Sequence, residues 1–144
     1  NISSEEATNL AYYFLDYNKQ RELKHPKPIK VLESGYDEKK ILNDAKTQNK
    51  SIIVYATSKS CYFCKKMKSE VLDLDEIEDK IEKDFIFLEV DVDFIALPYD
   101  LKKSFYGMTP TFFFVSNEGK LMNTYPGAWI KSDFIQILEE NINK

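Results

Sequence analysis

The sequence predicts an α/β domain: a central mixed β-sheet flanked by helices, with an N-terminal helical extension. Three observations carry this expectation. Strand-like and helix-like patterns alternate in the order βαβαββα, which puts helices over both faces of one sheet. Phe85–Val92 is nearly continuous in apolar residues, as a parallel strand covered on both sides must be. Farther on, Thr111–Val115 and Leu121–Thr124 are separated by the short turn Asn117-Glu118-Gly119-Lys120, so that part of the sheet is expected to run antiparallel. A chain of 144 residues, 43% of them hydrophobic, is one domain's worth of sequence with an ordinary core. The expected division is 1–36 as a helical arm and linker packing on the domain, and 37–144 as the domain itself.

Each element has its own warrant. Over Ser3–Tyr17, Ser3 or Ser4 can cap a helix, Glu5 and Glu6 suit its first turn, and Ala7, Leu10, Phe14 and Tyr17 share a stripe. That stripe can dock on the domain or face a partner. Lys24-His25-Pro26-Lys27-Pro28 holds the chain extended and leads to a short strand near Ile29–Leu32. His25, the sole histidine, reads as an exposed loop residue. Ser34-Gly35-Tyr36 turns into a helix over Asp37–Asn49 with Ile41, Leu42 and Ala45 on its apolar face. Ser51–Thr57 is a β-branched, apolar strand. A helix follows to about Val71, and a second over Asp73–Lys83 carries Leu74, Ile77 and Ile81 at three-then-four spacing. Its acidic face reads as solvent-exposed. Leu101–Tyr106 is expected to be a helix closed by Gly107. The final helix, Ile130–Ile142, has Ile130, Phe134, Ile137, Leu138 and Ile142 on one stripe, with Trp129 packing at its entrance.

The chemistry is concentrated at Cys61-Tyr62-Phe63-Cys64, which holds the only two cysteines and sits at the junction between strand and helix. A thiol attacks as its thiolate. Unpaired N–H groups and the positive end of the helix dipole favour an anion at a helix start, so Cys61 is placed to have a lowered pKa. Cys64, one turn on, can close a disulfide or resolve a mixed one. This spacing assigns Cys61 as nucleophile and Cys64 as resolving thiol in a two-step exchange. Lys65, Lys66 and Lys68 add nearby positive charge, largely solvated. Other readings are two ordinary buried cysteines, a zinc site, or covalent haem attachment. Zinc needs four ligands and the chain offers two thiols and a distant imidazole; haem attachment needs a histidine after the second cysteine, where Lys65 stands. No metal and no cofactor are expected.

These residues resemble the thioredoxin-like thiol:disulfide oxidoreductases over roughly Asp37–Asn143. Ser51–Thr57 with C-Y-F-C-K is similar to that family's central strand and C-x-x-C-K site, and Phe85–Asp93 to its next parallel strand. Gly107-Met108-Thr109-Pro110-Thr111-Phe112 resembles the loop whose proline is cis, Asn117–Lys120 its hairpin turn, and Gly127 the glycine before its last helix. The resemblance implies that Pro110 lies beside the thiols. The Thr109 backbone could then pair with an extended substrate, and Tyr62, Phe63, Thr109 and Pro110 would form the substrate-binding cleft. On the residues alone, Pro110 need only start a strand.

The departures are specific. Ser60 replaces a tryptophan, Tyr62-Phe63 replaces Gly-Pro, and Tyr55 stands where thioredoxin has a buried aspartate. Glu89 stands where it has a lysine. Glu89 can act as a proton relay for Cys64 or be a solvated or salt-bridged strand residue. Tyr62-Phe63 and Thr109 resemble the bacterial extracytoplasmic, thiol:disulfide interchange branch.

A net charge of −4 with interleaved signs gives no nucleic-acid footprint, and no run of eighteen apolar residues spans a membrane. The chain begins at Asn1, consistent with a removed signal peptide, and a periplasmic or otherwise extracytoplasmic location is expected mainly from the resemblance. The expected function is thiol–disulfide exchange on protein disulfides, as a reductase or isomerase, with protein thiol/disulfide substrates and an upstream redox partner protein. A dithiol oxidase and a redox-inactive binding or adaptor module are the alternatives.

Overall fold

The computed structural model describes residues 29–31 and 36–142. The expected arm helix at Ser3–Tyr17, the proline-rich linker and His25 lie outside the described residues, as does most of the proposed 1–36 unit.

Among the described residues, five strands form one sheet in the order β1-β3-β2-β4-β5: β1 (Ile29–Val31), β2 (Ser51–Thr57), β3 (Phe85–Asp91), β4 (Thr111–Val115) and β5 (Leu121–Pro126). β1, β3 and β2 are parallel, while β4 and β5 run antiparallel. The sheet is therefore mixed, as the patterns require. β5 reaches Pro126, beyond the expected Thr124, and pairs with β4 through an irregularity at Phe114/Val115.

Alternation along the strands divides the core in two. Ile53, Tyr55, Phe85, Phe87, Phe112 and Phe114 face one way, against Met67, Val71, Ile77 and Phe134. Ile52, Val54, Ala56, Leu88, Val90, Phe113 and Val115 face the other, against Ile41, Ala45 and Leu101. β2, β3 and β4 are central and covered on both faces, which is why their sequences are apolar at consecutive positions.

Helix α1 (Glu38–Gln48) starts where Asp37 accepts the Lys40 N–H at 3.1 Å and ends at Asn49 in the left-handed region (φ 54°). Helix α2 (Tyr62–Met67) passes into a π-helical turn, Lys68–Leu72, where a single α-helix to Val71 was expected. The wider turn lets Val71 and Leu72, adjacent in sequence, both reach the core with Met67. Helix α3 (Asp75–Asp84) begins two residues later than expected, with Leu74 as its N-cap. Its acidic face is largely exposed, and Glu76 pairs with Lys131 at 2.6 Å.

Two expectations need correcting. Leu101–Tyr106 is not an α-helix but one 3₁₀ turn, Leu101–Ser104. Asp100 enters it left-handed (φ 58°) and Phe105 leaves it extended, edge-on to Phe113. With Phe105 extended and its ring against Phe113, the chain leaves the turn before a second one forms. Helix α4 is Lys131–Glu140, and Ile130 is its N-cap, 66% exposed rather than on the buried stripe. Phe134, Ile137 and Leu138 do form that stripe. Trp129 packs edge-on against Tyr125, and its backbone N–H points at Met67 Sδ, 3.3 Å away.

Tyr36 and Tyr99 tie α1 to the loop after β3. Tyr36 Oη donates to the Ala96 carbonyl and Tyr99 Oη to the Glu38 carbonyl at 2.8 Å. Burial, with Glu38 adding to it, pushes the Tyr36 pKa up to about 12 and raises that of Tyr99 as well. The unfolded phenols ionise at pH ~10 while the folded ones resist. Their contribution is thus full below about pH 10 and is lost as pH rises through the folded values. The urea midpoint should fall above that pH, and fall less steeply in Tyr36→Phe/Tyr99→Phe; equal slopes in the two proteins would contradict this.

Candidate active site

The site is built where β2 ends. After Thr57 the chain crosses Ser58-Lys59-Ser60, and the Cys61 N–H closes that turn on the Ser58 carbonyl at 3.2 Å. Ser58 Oγ donates to Asp93 Oδ2 at 2.5 Å and lies 3.2 Å from Ser60 Oγ, while Asp91 Oδ1 accepts the Asp93 N–H at 3.0 Å. The loop before the first cysteine is therefore fastened to the end of β3. Cys61 is the N-cap of α2 (φ −85°, ψ 112°), and the Cys64 N–H points at its sulfur, 3.1 Å away.

Cys61 and Cys64 are joined as a disulfide, with Cα atoms 5.2 Å apart. Their surroundings differ. Cys64 is 4% exposed, sealed beneath the helix start, whereas Cys61 is half-buried and open to solvent. A large disulfide approaching from outside can reach only Cys61 Sγ.

The loop before β4 closes over that sulfur. The Thr109–Pro110 peptide is cis, and the Thr109 carbonyl oxygen stands 3.4 Å from Cys61 Sγ. Thr111 Oγ1 donates to the Met108 carbonyl at 2.6 Å, and the Gly127 N–H donates to the Pro110 carbonyl at 2.7 Å. These bonds hold Thr109 and the buried Pro110 in place. Tyr62 and Phe63, 69% and 57% exposed, project from the first turn of α2 in edge-to-face contact. In a reduced site, the Thr109 carbonyl would favour a thiol and the Cys64 N–H a thiolate. The helix dipole adds to the second.

Glu89 lies on the sheet face that carries the site helix, in register with Tyr55 on β2, and is half-buried. Tyr55, 1% exposed, donates its hydroxyl to the Cys64 carbonyl at 3.3 Å. Burial pushes its pKa up, with the Glu89 carboxylate adding to the effect, so this hydroxyl stays protonated. Tyr55 thus bonds the Cys64 carbonyl and stands opposite Glu89 across the β2–β3 pair. Sequence reasoning marked Tyr55 only as a departure and gave it no contact. Its inward position on β2, beneath the following helix, was the available signal. The Ser58–Asp93 tie was missed for a plainer reason: it joins loops 35 positions apart, a separation that no local pattern reports.

Among the described residues no group of three or more His, Cys, Asp and Glu is placed to hold a metal ion. No described helix is long and apolar enough to cross a membrane.

The model of the thioredoxin-like domain family matches residues 38–142. The chain belongs to the thioredoxin-like family. Solved structures agree with that fold. A thioredoxin from Thermus thermophilus aligns with a TM-score of 0.64 at 21% identity, covering 78% of this chain and 85% of that one. The oxidised C-terminal domain of DsbD from Neisseria meningitidis gives 0.59 at 22% identity, covering 72% and 91%. The oxidoreductase DsbH gives 0.58 at 15% identity, covering 77% and 85%. No protein of curated function matches the chain in sequence. In this thioredoxin-like domain, the fold together with the Cys61–Cys64 pair supports a thiol–disulfide oxidoreductase.

Proposed function

We propose that the chain reduces or isomerises protein disulfides, with Cys61 as attacking sulfur and Cys64 as resolving thiol. The observation that supports this most is the asymmetry of the pair. Cys61 is open to solvent and receives a backbone N–H, while Cys64 is sealed. The reduced site starts from a Cys61 thiolate and a Cys64 thiol. Cys61 S⁻ attacks a substrate disulfide, forming a Cys61–substrate bond and releasing one substrate thiolate. Cys64 then gives up its proton and attacks Cys61 Sγ, releasing the second thiolate and leaving the disulfide seen here. Two electrons pass from the dithiol to the substrate, and a dithiol partner protein must return them.

Tyr62, Phe63, Thr109 and Pro110 form the substrate-binding surface of this reading. An extended segment would lie along the Thr109 backbone as an added strand. Glu89 is proposed as the acceptor of the Cys64 proton, its place beside Tyr55 supporting that role. Glu89→Gln should shift the pH profile of Cys64 alkylation in a Cys61→Ser background; an unchanged profile removes the relay. An extracytoplasmic site of action is proposed on the likeness at Tyr62, Phe63 and Thr109. Residues 37–144 are proposed as the folding unit, with 1–36 an arm packed upon it.

Turnover on insulin with dithiothreitol as reductant tests the main reading. Catalysed precipitation of the reduced chains is expected. A folded protein that leaves the uncatalysed rate unchanged would contradict it.

A further inference from the structure

We infer that Ser58 and Asp93 are positioning residues for Cys61: the hydrogen bond between them fixes the loop before the nucleophile, so that its sulfur meets the Cys64 N–H. The inference rests on the proposed function and adds two side chains to its machinery.

The first observation is where the backbone ladder stops. The register of β2 on β3 ends at Thr57 opposite Asp91, and the Val92 N–H still donates to the Thr57 carbonyl at 3.0 Å. Ser58 is the next residue, and from there to Cys61 the chain belongs to neither strand nor helix. Ser58-Lys59-Ser60 holds no proline to stiffen it. The Cys61 N–H closes this loop on the Ser58 carbonyl at 3.2 Å, and Cys61 then caps α2 with φ −85° and ψ 112°. Whether a cap side chain reaches the N–H groups of the first turn depends on those dihedrals. A loop free to swing at Ser58 would carry the sulfur away from the Cys64 N–H, which it meets at 3.1 Å.

The second observation is what prevents that swing. Ser58 is 8% exposed, and its hydroxyl donates to Asp93 Oδ2 at 2.5 Å, the distance of a hydroxyl on an ionised carboxylate. A carboxylate only accepts, so the single Ser58 proton is committed to it. The 3.2 Å contact between Ser58 Oγ and Ser60 Oγ is then made with the Ser60 proton. The tie therefore runs from Ser60 through Ser58 to Asp93 and spans the loop. Its far end is firm. Asp91, 2% exposed, accepts the Asp93 N–H on Oδ1 at 3.0 Å, and its carbonyl accepts the Phe94 and Ile95 N–H groups at 3.1 and 3.0 Å. Asp93 is thus presented by a closed turn at the end of a central strand. It keeps its negative charge but is exposed, so solvent screens its field while the bond to Ser58 remains.

The test is the pH dependence of Cys61 alkylation by iodoacetamide in the reduced full chain carrying Cys64→Ser. Ser58→Ala removes the tie and no charge, since Lys59, Lys65, Lys66, Glu70, Glu89, Asp91 and Asp93 all remain. Its midpoint should rise by about half a pH unit, a roughly threefold loss of thiolate below both midpoints. Asp93→Asn and Asp93→Ala remove the same charge, but asparagine keeps an acceptor for Ser58. Losing the charge alone favours the thiolate, so Asp93→Asn should titrate at or slightly below the parent variant. Asp93→Ala should titrate about half a unit above Asp93→Asn, and adding Ser58→Ala to it should change nothing further.

Equal midpoints in Ser58→Ala and the parent, or in Asp93→Asn and Asp93→Ala, would overturn the inference. The proposed function then stands if the shared midpoint lies below that of free cysteine. A parent midpoint at the free-cysteine value removes the thiolate on which both rest. Because Asp93 is exposed, its two variants carry the comparison should Ser58→Ala fail to fold. A tie that served stability alone would lower the urea midpoint in Ser58→Ala and Asp93→Ala and leave the titration where it was, which also overturns the inference.

Discussion

Cys61→Ser should lower turnover on a protein disulfide by at least about three orders of magnitude. Cys64→Ser should instead stop after the first step. Both variants lack the pair, but they fail differently because the two sulfurs are placed differently. Cys61 can meet a substrate and is met by the Cys64 N–H at 3.1 Å; Cys64, at 4% exposure, meets only Cys61. With Cys64→Ser, substrate should accumulate as a mixed disulfide on Cys61, visible as a mass increase that dithiothreitol removes. With Cys61→Ser, no such adduct should form on Cys64. An adduct on Cys64 at a comparable rate would reverse the assigned roles.

The second large effect is on stability. Phe112 is fully buried, stacked on Tyr55 with ring centroids 4.7 Å apart and in contact with Phe134 at 4.9 Å. It connects β2, β4 and α4 under the site helix. Phe112→Ala removes that connection and leaves a cavity among rings that have few ways to collapse, at a cost of about 3–5 kcal/mol. A domain of ordinary stability has about 5–15 kcal/mol in total, so the urea midpoint should drop by a large fraction while the slope stays unchanged. A loss below about 1 kcal/mol would mean that the rings repack and that this contact does not organise the core. Because Tyr55 holds the Cys64 carbonyl, the same variant should also loosen the disulfide's seat, read as faster reduction by dithiothreitol.

Much of this is legible in the sequence. The mixed sheet, the placement of C-x-x-C at the end of β2 and Pro110 at the start of β4 all follow from local patterns: apolar runs, turn residues and cysteine spacing. The misreadings occurred where tertiary packing overrode local preference. Leu101–Tyr106 has helical composition, yet Phe105 is drawn to Phe113 and only one tight turn survives. Ile130 has the right spacing for the α4 stripe, but it lies one residue before the helix and faces solvent. Val71 and Leu72 are both buried only because the helix widens there. The Tyr55–Cys64 bond and the Ser58–Asp93 tie join separate elements, so no window of sequence contains them.

Cys61, once reduced, is expected to be held as a thiolate by the start of α2. The most direct measurement is a pH titration of Cys61 in the Cys64→Ser variant, read by thiolate absorbance or by the rate of alkylation. A midpoint well below the ~8.5 of free cysteine is expected. A midpoint at or above that value would show that the helix start does not activate the sulfur.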